Sequence, residues 1–184
     1  VCAEPARSSC KKEWVKDLER KYRDIAEFNR LAGTNFTSWK ALLANPSPVK
    51  LGGVAEAADE FYRKMCAVYF RTCKEEQMRA APHQLYLGCR FLQNVSPVPV
   101  TVAARFCDVV SYNVYEYGIA SRSVENIDKP FIVGEFHFGA LDRGMFSPGC
   151  RWAGDQQDRA GLYKDYVTGA LKNPYCVGAH WFQY

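Results

Sequence analysis

Pro130 to Phe136 reads PFIVGEF, a short and nearly continuous apolar run with one carboxylate, Glu135, at its end. An apolar run of this length is expected of a β-strand covered on both faces. Three further runs share the pattern: Leu85 to Cys89 (LYLGC), closed by Arg90, Asp108 to Tyr112 (DVVSY), and Cys176 to Phe182 (CVGAHWF). Each carries its polar residues at its C-terminal end: Arg90 on the first, Asn113 with Tyr115 on the second, Glu135 with His137 on the third, His180 with Gln183 on the fourth. In a barrel of parallel strands those ends form the catalytic mouth.

Between the runs lie helix-compatible segments near Val102 to Phe106 and Val124 to Ile127, and a stronger one from Gln156 to Leu171. Asp155 caps the last and Lys172-Asn173-Pro174 stops it. Buried strands alternating with helices, without hairpin signals, predict βαβ units and a parallel sheet. The fold class expected is α/β, as the C-terminal half, strands five to eight, of a (β/α)8 TIM barrel. A closed barrel needs eight strands and about 250 residues. Four parallel strands alone leave two open edges and an uncovered inner face, so a preceding segment, on the same or a second chain, is expected to complete the sheet.

Upstream, Trp14, Leu18, Tyr22, Ile25 and Phe28 recur every three or four positions, predicting one helix from about Ser9 to Leu31 that Gly33 ends. A short helix capped by Ser38 runs to Leu43, and the Pro- and Gly-bearing stretch 45–53 is a connector. A long helix follows from Val54 to Arg79, with Ala58, Phe61, Met65, Val68 or Tyr69, and Cys73 as its apolar stripe, and Pro82 closes it. Residues 1–53 are thus helices and connector, and 54–184 hold the four strands with their helices, within one partial catalytic domain.

The chain has 184 residues, 48% hydrophobic and 14% aromatic, enough for a sizeable core. Its net charge of +4 comes from 24 basic and 20 acidic residues with interleaved signs. A solvated helix face explains that pattern better than a nucleic-acid footprint. No apolar run approaches the roughly 20 residues of a membrane span, and no signal-peptide layout opens the chain. It begins at Val1 rather than Met and stops after a strand-like run, so neither end is expected to be a natural boundary. The eight cysteines form no CxxC pair, which argues against a zinc ribbon or a redox motif and favours mostly buried thiols. Two sequons, Asn35-Phe36-Thr37 and Asn94-Val95-Ser96, lean towards secretion without deciding the compartment.

Glu135 is the residue that chemistry singles out. A glutamate in an apolar strand is costly to bury unless it is paired or functional. Retaining glycoside hydrolysis uses such a carboxylate as nucleophile, with a second carboxyl about 5 to 5.5 Å away as acid and base.

Taken in order, YLGCRF (Tyr86 to Phe91), SYNVYEY (Ser111 to Tyr117), FIVGEFHFG (Phe131 to Gly139) and VGAHWFQY (Val177 to Tyr184) resemble the clan A glycoside hydrolases, most of all glycoside hydrolase family fifty, the β-agarases. The stretch from Tyr22 to Leu43 is similar to the segment after that family's fourth strand. The resemblance implies a retaining hydrolase of β-galactosidic linkages in an oligo- or polysaccharide, with Glu135 as nucleophile and no cofactor or metal. It implies that Asn113 and Tyr115 orient that carboxylate or touch the sugar, and that Trp181 is an aromatic platform. Arg90, His137, His180 and Gln183 would contact hydroxyls, and Trp152 would belong to a loop wall. The family's Asn-Glu pair ending strand four, which carries the acid/base glutamate, has no counterpart here. That group is expected upstream of Val1, and the chain by itself is expected to be incompetent. The alternative is a non-catalytic barrel remnant that binds carbohydrate or serves as a scaffold. Metal hydrolysis through His83, His137 and His180 is disfavoured, because their spacing follows no ligand rule.

Overall fold

The computed structural model describes residues 1–92, 95–122 and 127–182. They form two compact units, Val1–Met65 and Cys66–Tyr184.

The first unit is helical. Helix α1 (Ser9–Tyr22) is capped by the Ser8 side chain, α2 (Ile25–Ala32) by Asp24, and α3 (Trp39–Ala44) by Ser38. The single helix expected from Ser9 to Leu31 is therefore two. Arg23 takes a left-handed φ of 60°, and the Asp24 carboxylate accepts the Ala26 N–H, starting a new helix at the break. Trp14, Leu18, Phe28, Leu42 and Phe61 pack in one core. Lys11 is wholly buried, and its ammonium donates to the carbonyls of Glu4 and Asn45. A buried cation needs such partners, and no periodicity reveals them. Helix α4 (Ala55–Ala80) matches the expected long helix, but its buried positions are Ala57, Phe61 and Phe70, while Val68 and Tyr69 are exposed.

The second unit holds strands β1 (Arg90–Leu92), β2 (Val110–Asn113), β3 (Phe131–Phe136) and β4 (Cys176–Trp181), all parallel, in the spatial order β1-β2-β3-β4. Helix α5 (Pro97–Ala103) joins the first pair and α6 (Gln156–Lys172) the last. Phe70 of α4, Val100 and Val102 of α5, and Tyr166 and Ala170 of α6 share one cluster with Phe91, Tyr112, Phe131, Val133 and Phe136. Three helices sharing one core with the strands means that they cover the same face of the sheet. Aromatic rings carry that core across the strands, from Phe70 through Phe91 and Tyr112 to Phe131, with neighbouring centroids 6.0–6.3 Å apart. Phe136 stacks on Tyr166 at 4.2 Å. Asn173, buried past the end of α6, donates to the Ile119 and Arg122 carbonyls and fixes that loop to the helix.

Three expectations shift. The run Leu85 to Cys89 lies outside the ladder, and Arg90 begins β1 instead of closing a strand. Gly88 has φ +63° with the Cys107 sulfur packed against it, and Leu85 is two-thirds exposed, so regular pairing starts only beyond it. The helix expected at Val102 to Phe106 forms earlier, where Ser96 caps it and Pro97 supplies a pre-set φ at its first turn. Of the cysteines only Cys107 is buried, Cys150 is exposed and the others are half-buried, so the mostly buried set does not hold. The segment expected as a helix from Val124 lies outside the described residues apart from Ile127, as does Asn94 of the second sequon. Among the described residues no helix is long and apolar enough to cross a membrane.

Candidate active site

The geometry around Glu135 begins with a register fault. Strict alternation along β3 would put residues 131, 133 and 135 on the core face. Instead Tyr112 pairs with Val133 and Asn113 with Glu135, and on the other side Ala179 pairs with Val133 and Trp181 with Phe136. Both neighbours thus meet one extra residue on β3 between Val133 and Phe136. The bulge sends Phe131, Val133 and Phe136 into the core, and it turns the Glu135 carboxylate away from it. Without the extra residue a carboxylate would face Tyr166 and its apolar neighbours, at a cost of several kcal/mol, on the order of the burial of an unpaired charge.

The carboxylate is held on both oxygens. Arg90 Nη1 donates to Oε1 at 3.0 Å and the Tyr115 hydroxyl donates to Oε2 at 2.8 Å. The Glu135 side chain is 18% exposed, against 51% for Arg90. Burial, and then the bond to Glu135, push the Tyr115 phenol well above its ordinary pKa, so it stays a donor. Arg90 starts two register positions behind Glu135 and must run along the sheet to reach it. Gly134 leaves the room: a β-carbon there would lie 2.8 Å from Ser111 Oγ and 2.9 Å from Arg90 Cδ. The role of this glycine escaped sequence reasoning, since the run PFIVGEF shows a glycine but not which side chain crosses it.

The remaining expected site residues divide. Asn113 is the Cα partner of Glu135, and its Oδ1 is buried with no hydrogen-bond partner among the described residues. The Val114 N–H donates to the Glu135 carbonyl at 2.8 Å, tying the two strand ends together. His137 has both ring nitrogens facing backbone carbonyls, Nδ1 at 2.9 Å from Phe182 O and Nε2 at 3.1 Å from Pro148 O, and the neutral ring, with one N–H, donates to one of the two, so the ring is turned to backbone and not to a sugar hydroxyl. Trp181 is half-buried on the helix side, edge-on to Phe136 and Tyr163, with the Arg159 guanidinium 5.2 Å over its ring. It is used there for packing, which gives no support to a platform role. His180 is exposed, and Gln183 lies outside the described residues. Trp152 is exposed on the loop after β3, where it bridges Gly139 in parallel and its carbonyl accepts the Tyr117 hydroxyl at 3.0 Å. No group of three or more His, Cys, Asp or Glu side chains among the described residues is arranged to hold a metal ion, and His83 is exposed.

Comparison with known proteins follows the same residues. No protein-family profile matches the chain. β-Agarase B of Vibrio sp. (strain JT0107) is 37% identical over 186 residues, covering 97% of this chain and 19% of the relative. β-Agarase A of the same strain is 38% identical over 181 residues, covering 93% of this chain and 18% of the relative. A solved exo-β-agarase superposes with a TM-score of 0.89 at 35% identity over the whole of this chain and 26% of its own. The agarase AgWH50C gives 0.87 at 36% identity, over 100% of this chain and 27% of its own. The chain thus spans about a fifth of the length of the curated relatives it matches.

Proposed function

Because this chain is a homologue of a segment of the β-agarases of glycoside hydrolase family fifty, we propose that it supplies the nucleophile side of a retaining glycoside hydrolase acting on β-linked galactans. Residues 54–184 are then strands five to eight of a (β/α)8 barrel, and 1–53 the helices and connector that follow strand four. The half-barrel is supported by the sequential parallel order of the strands and by α4, α5 and α6 covering a single face, because a doubly wound sheet would split its helices between two. The other face then lines the barrel.

One observation carries the catalytic assignment. Glu135 is the carboxylate that a bulge lifts off the core at the C-terminal end of a barrel-like strand, and two donors grip its oxygens. Arg90 and Tyr115 hold it aimed, one donor on each oxygen. Its oxygen attacks the anomeric carbon as the glycosidic bond breaks, and a second carboxyl, from the segment that completes the barrel, protonates the departing oxygen. Water activated by that same group then cleaves the glycosyl ester and frees Glu135. Tyr115, kept protonated, steadies the carboxylate while its charge falls and returns. Asn113 Oδ1, beside it, offers an acceptor to a sugar hydroxyl.

The test is azide rescue. With this chain exchanged for the matching segment of a β-agarase, Glu135→Ala should abolish hydrolysis of an activated aryl β-galactoside. Azide should restore turnover and give a glycosyl azide of the opposite anomeric configuration. Full activity of Glu135→Ala would refute the assignment.

A further inference from the structure

The loop that leaves β3, residues 139–153, returns on itself. The Gly139 N–H donates to Arg151 O and the Ala153 N–H to Gly139 O, so its two ends are pinned while its tip exposes Met145 and Phe146. Tyr117 reaches one end of the loop, its hydroxyl donating to Trp152 O, and Asp142 accepts from Gln156 of α6; nearer the tip the side chain that meets the loop from the strand ends is His137. Its Nε2 faces Pro148 O inside the loop, and its Nδ1 faces Phe182 O just past β4. The loop is shaped to receive the ring: Gly149 has φ +68°, and a β-carbon there would stand 2.2 Å from Nε2. Gly139 lies equally close to Pro148, whose carbonyl a β-carbon would meet at 2.1 Å. On its other side the imidazole meets Tyr115 edge-on at 5.7 Å, the residue whose hydroxyl grips Glu135.

We infer that His137 is a positioning residue, a latch that fixes the 139–153 loop and the Tyr115 ring around Glu135, and not a contact for sugar hydroxyls. The proposal rests on the assignment of Glu135 for its catalytic meaning, but its geometry stands apart from it. Three segments converge on one ring: the loop, the end of β4 and the residue that holds the carboxylate. Two glycines are needed for the loop to come that near. A sugar-binding histidine would keep a nitrogen open towards the mouth, whereas both are turned to backbone carbonyls.

Both facing carbonyls accept and a neutral imidazole carries one N–H, so the latch is the tautomer with that N–H on Nε2, donating to Pro148 O. Amide geometry separates the two contacts. A glutamine amide nitrogen sits where imidazole Nε2 does and can hold Pro148 O, whereas an asparagine amide nitrogen sits at Nδ1 and can hold only Phe182 O. Hydrogen–deuterium exchange of the 184-residue chain, read on peptides from 140–152 and from 110–117, tests the latch without any substrate. His137→Ala should speed exchange in 140–152 roughly fivefold or more, the scale of one lost hydrogen bond, while 110–113 stays as in the wild type. His137→Gln should restore protection of the loop, and His137→Asn should not. Unchanged loop exchange in the alanine variant, or equal protection by asparagine and glutamine, overturns the proposal. If the alanine variant fails to fold, the asparagine and glutamine pair decides. A failure here leaves azide rescue at Glu135 untouched, so the two claims fall separately.

Discussion

The helical unit and the strand-bearing unit each contain a fault in their regular pattern, and the two faults have opposite weight. In the first unit Arg23 breaks a helix in two, and the break is healed locally by a cap and leaves the core of Trp14, Leu18 and Phe28 intact. In the second, one extra residue in β3 decides whether Glu135 faces an apolar core or turns away from it. The ion pairs differ in route and not in exposure: Lys64 with Asp17 and Lys21 with Glu60 join helix surfaces directly, whereas Arg90 threads across a glycine to reach Glu135.

Substitutions sharpen the contrast in order of size. Phe136→Ala, which removes the ring stacked on Tyr166, should cost about 3–5 kcal/mol in chemical denaturation, because the site side of β3 depends on the core side. Gly134→Ala should cost about 1–3 kcal/mol, since its methyl group collides with Ser111 and the Arg90 stem. It should also release the guanidinium, visible as loss of the Arg90–Glu135 contact in a crystal structure. In the first unit, Lys64→Met should change stability by no more than about 1 kcal/mol, as expected of a partly exposed pair at the surface. A Gly134→Ala protein that keeps the Arg90 contact, or a Lys64→Met protein that loses several kcal/mol, would break the comparison.

The smallest effect is a pH dependence in the second unit. Lys74, and then the Tyr86 N–H, hold the Asp108 carboxyl below its ordinary value. A carboxyl depressed in the folded state stabilises above the ordinary value and loses that contribution as pH falls through the folded one. Asp108→Asn should therefore be less stable than the wild type at neutral pH, and the difference should begin to shrink as pH falls to the ordinary 3.8 and vanish only below the depressed folded value. A difference that grew on acidification would contradict the pairing.

Periodicity made the long helix, α6 with its Asp155 cap, and the strands β2 to β4 legible, because apolar spacing and caps are local signals. It did not show the Arg23 break, since the apolar stripe continues across it, nor the late start of β1, which depends on Cys107 packing on Gly88. At the site Glu135 was legible as a charge in an apolar run, and Tyr115 and Asn113 as strand-end polar groups beside it. Arg90, His137 and Trp181 were legible as neighbours but not in their contacts. A sequence gives no sign that Arg90 turns to Glu135, that His137 turns both ring nitrogens towards backbone carbonyls, or that Trp181 packs towards α6. Those depend on a one-residue bulge and on long-range contacts.

Covalent trapping addresses Glu135 most directly. In a barrel completed with the upstream segment of a β-agarase, an activated 2-deoxy-2-fluoro-β-galactoside should add one fluoro-sugar to the peptide holding Glu135, and Glu135→Gln should abolish the label. A label on another carboxylate, or none while the sugar still binds, would contradict the account.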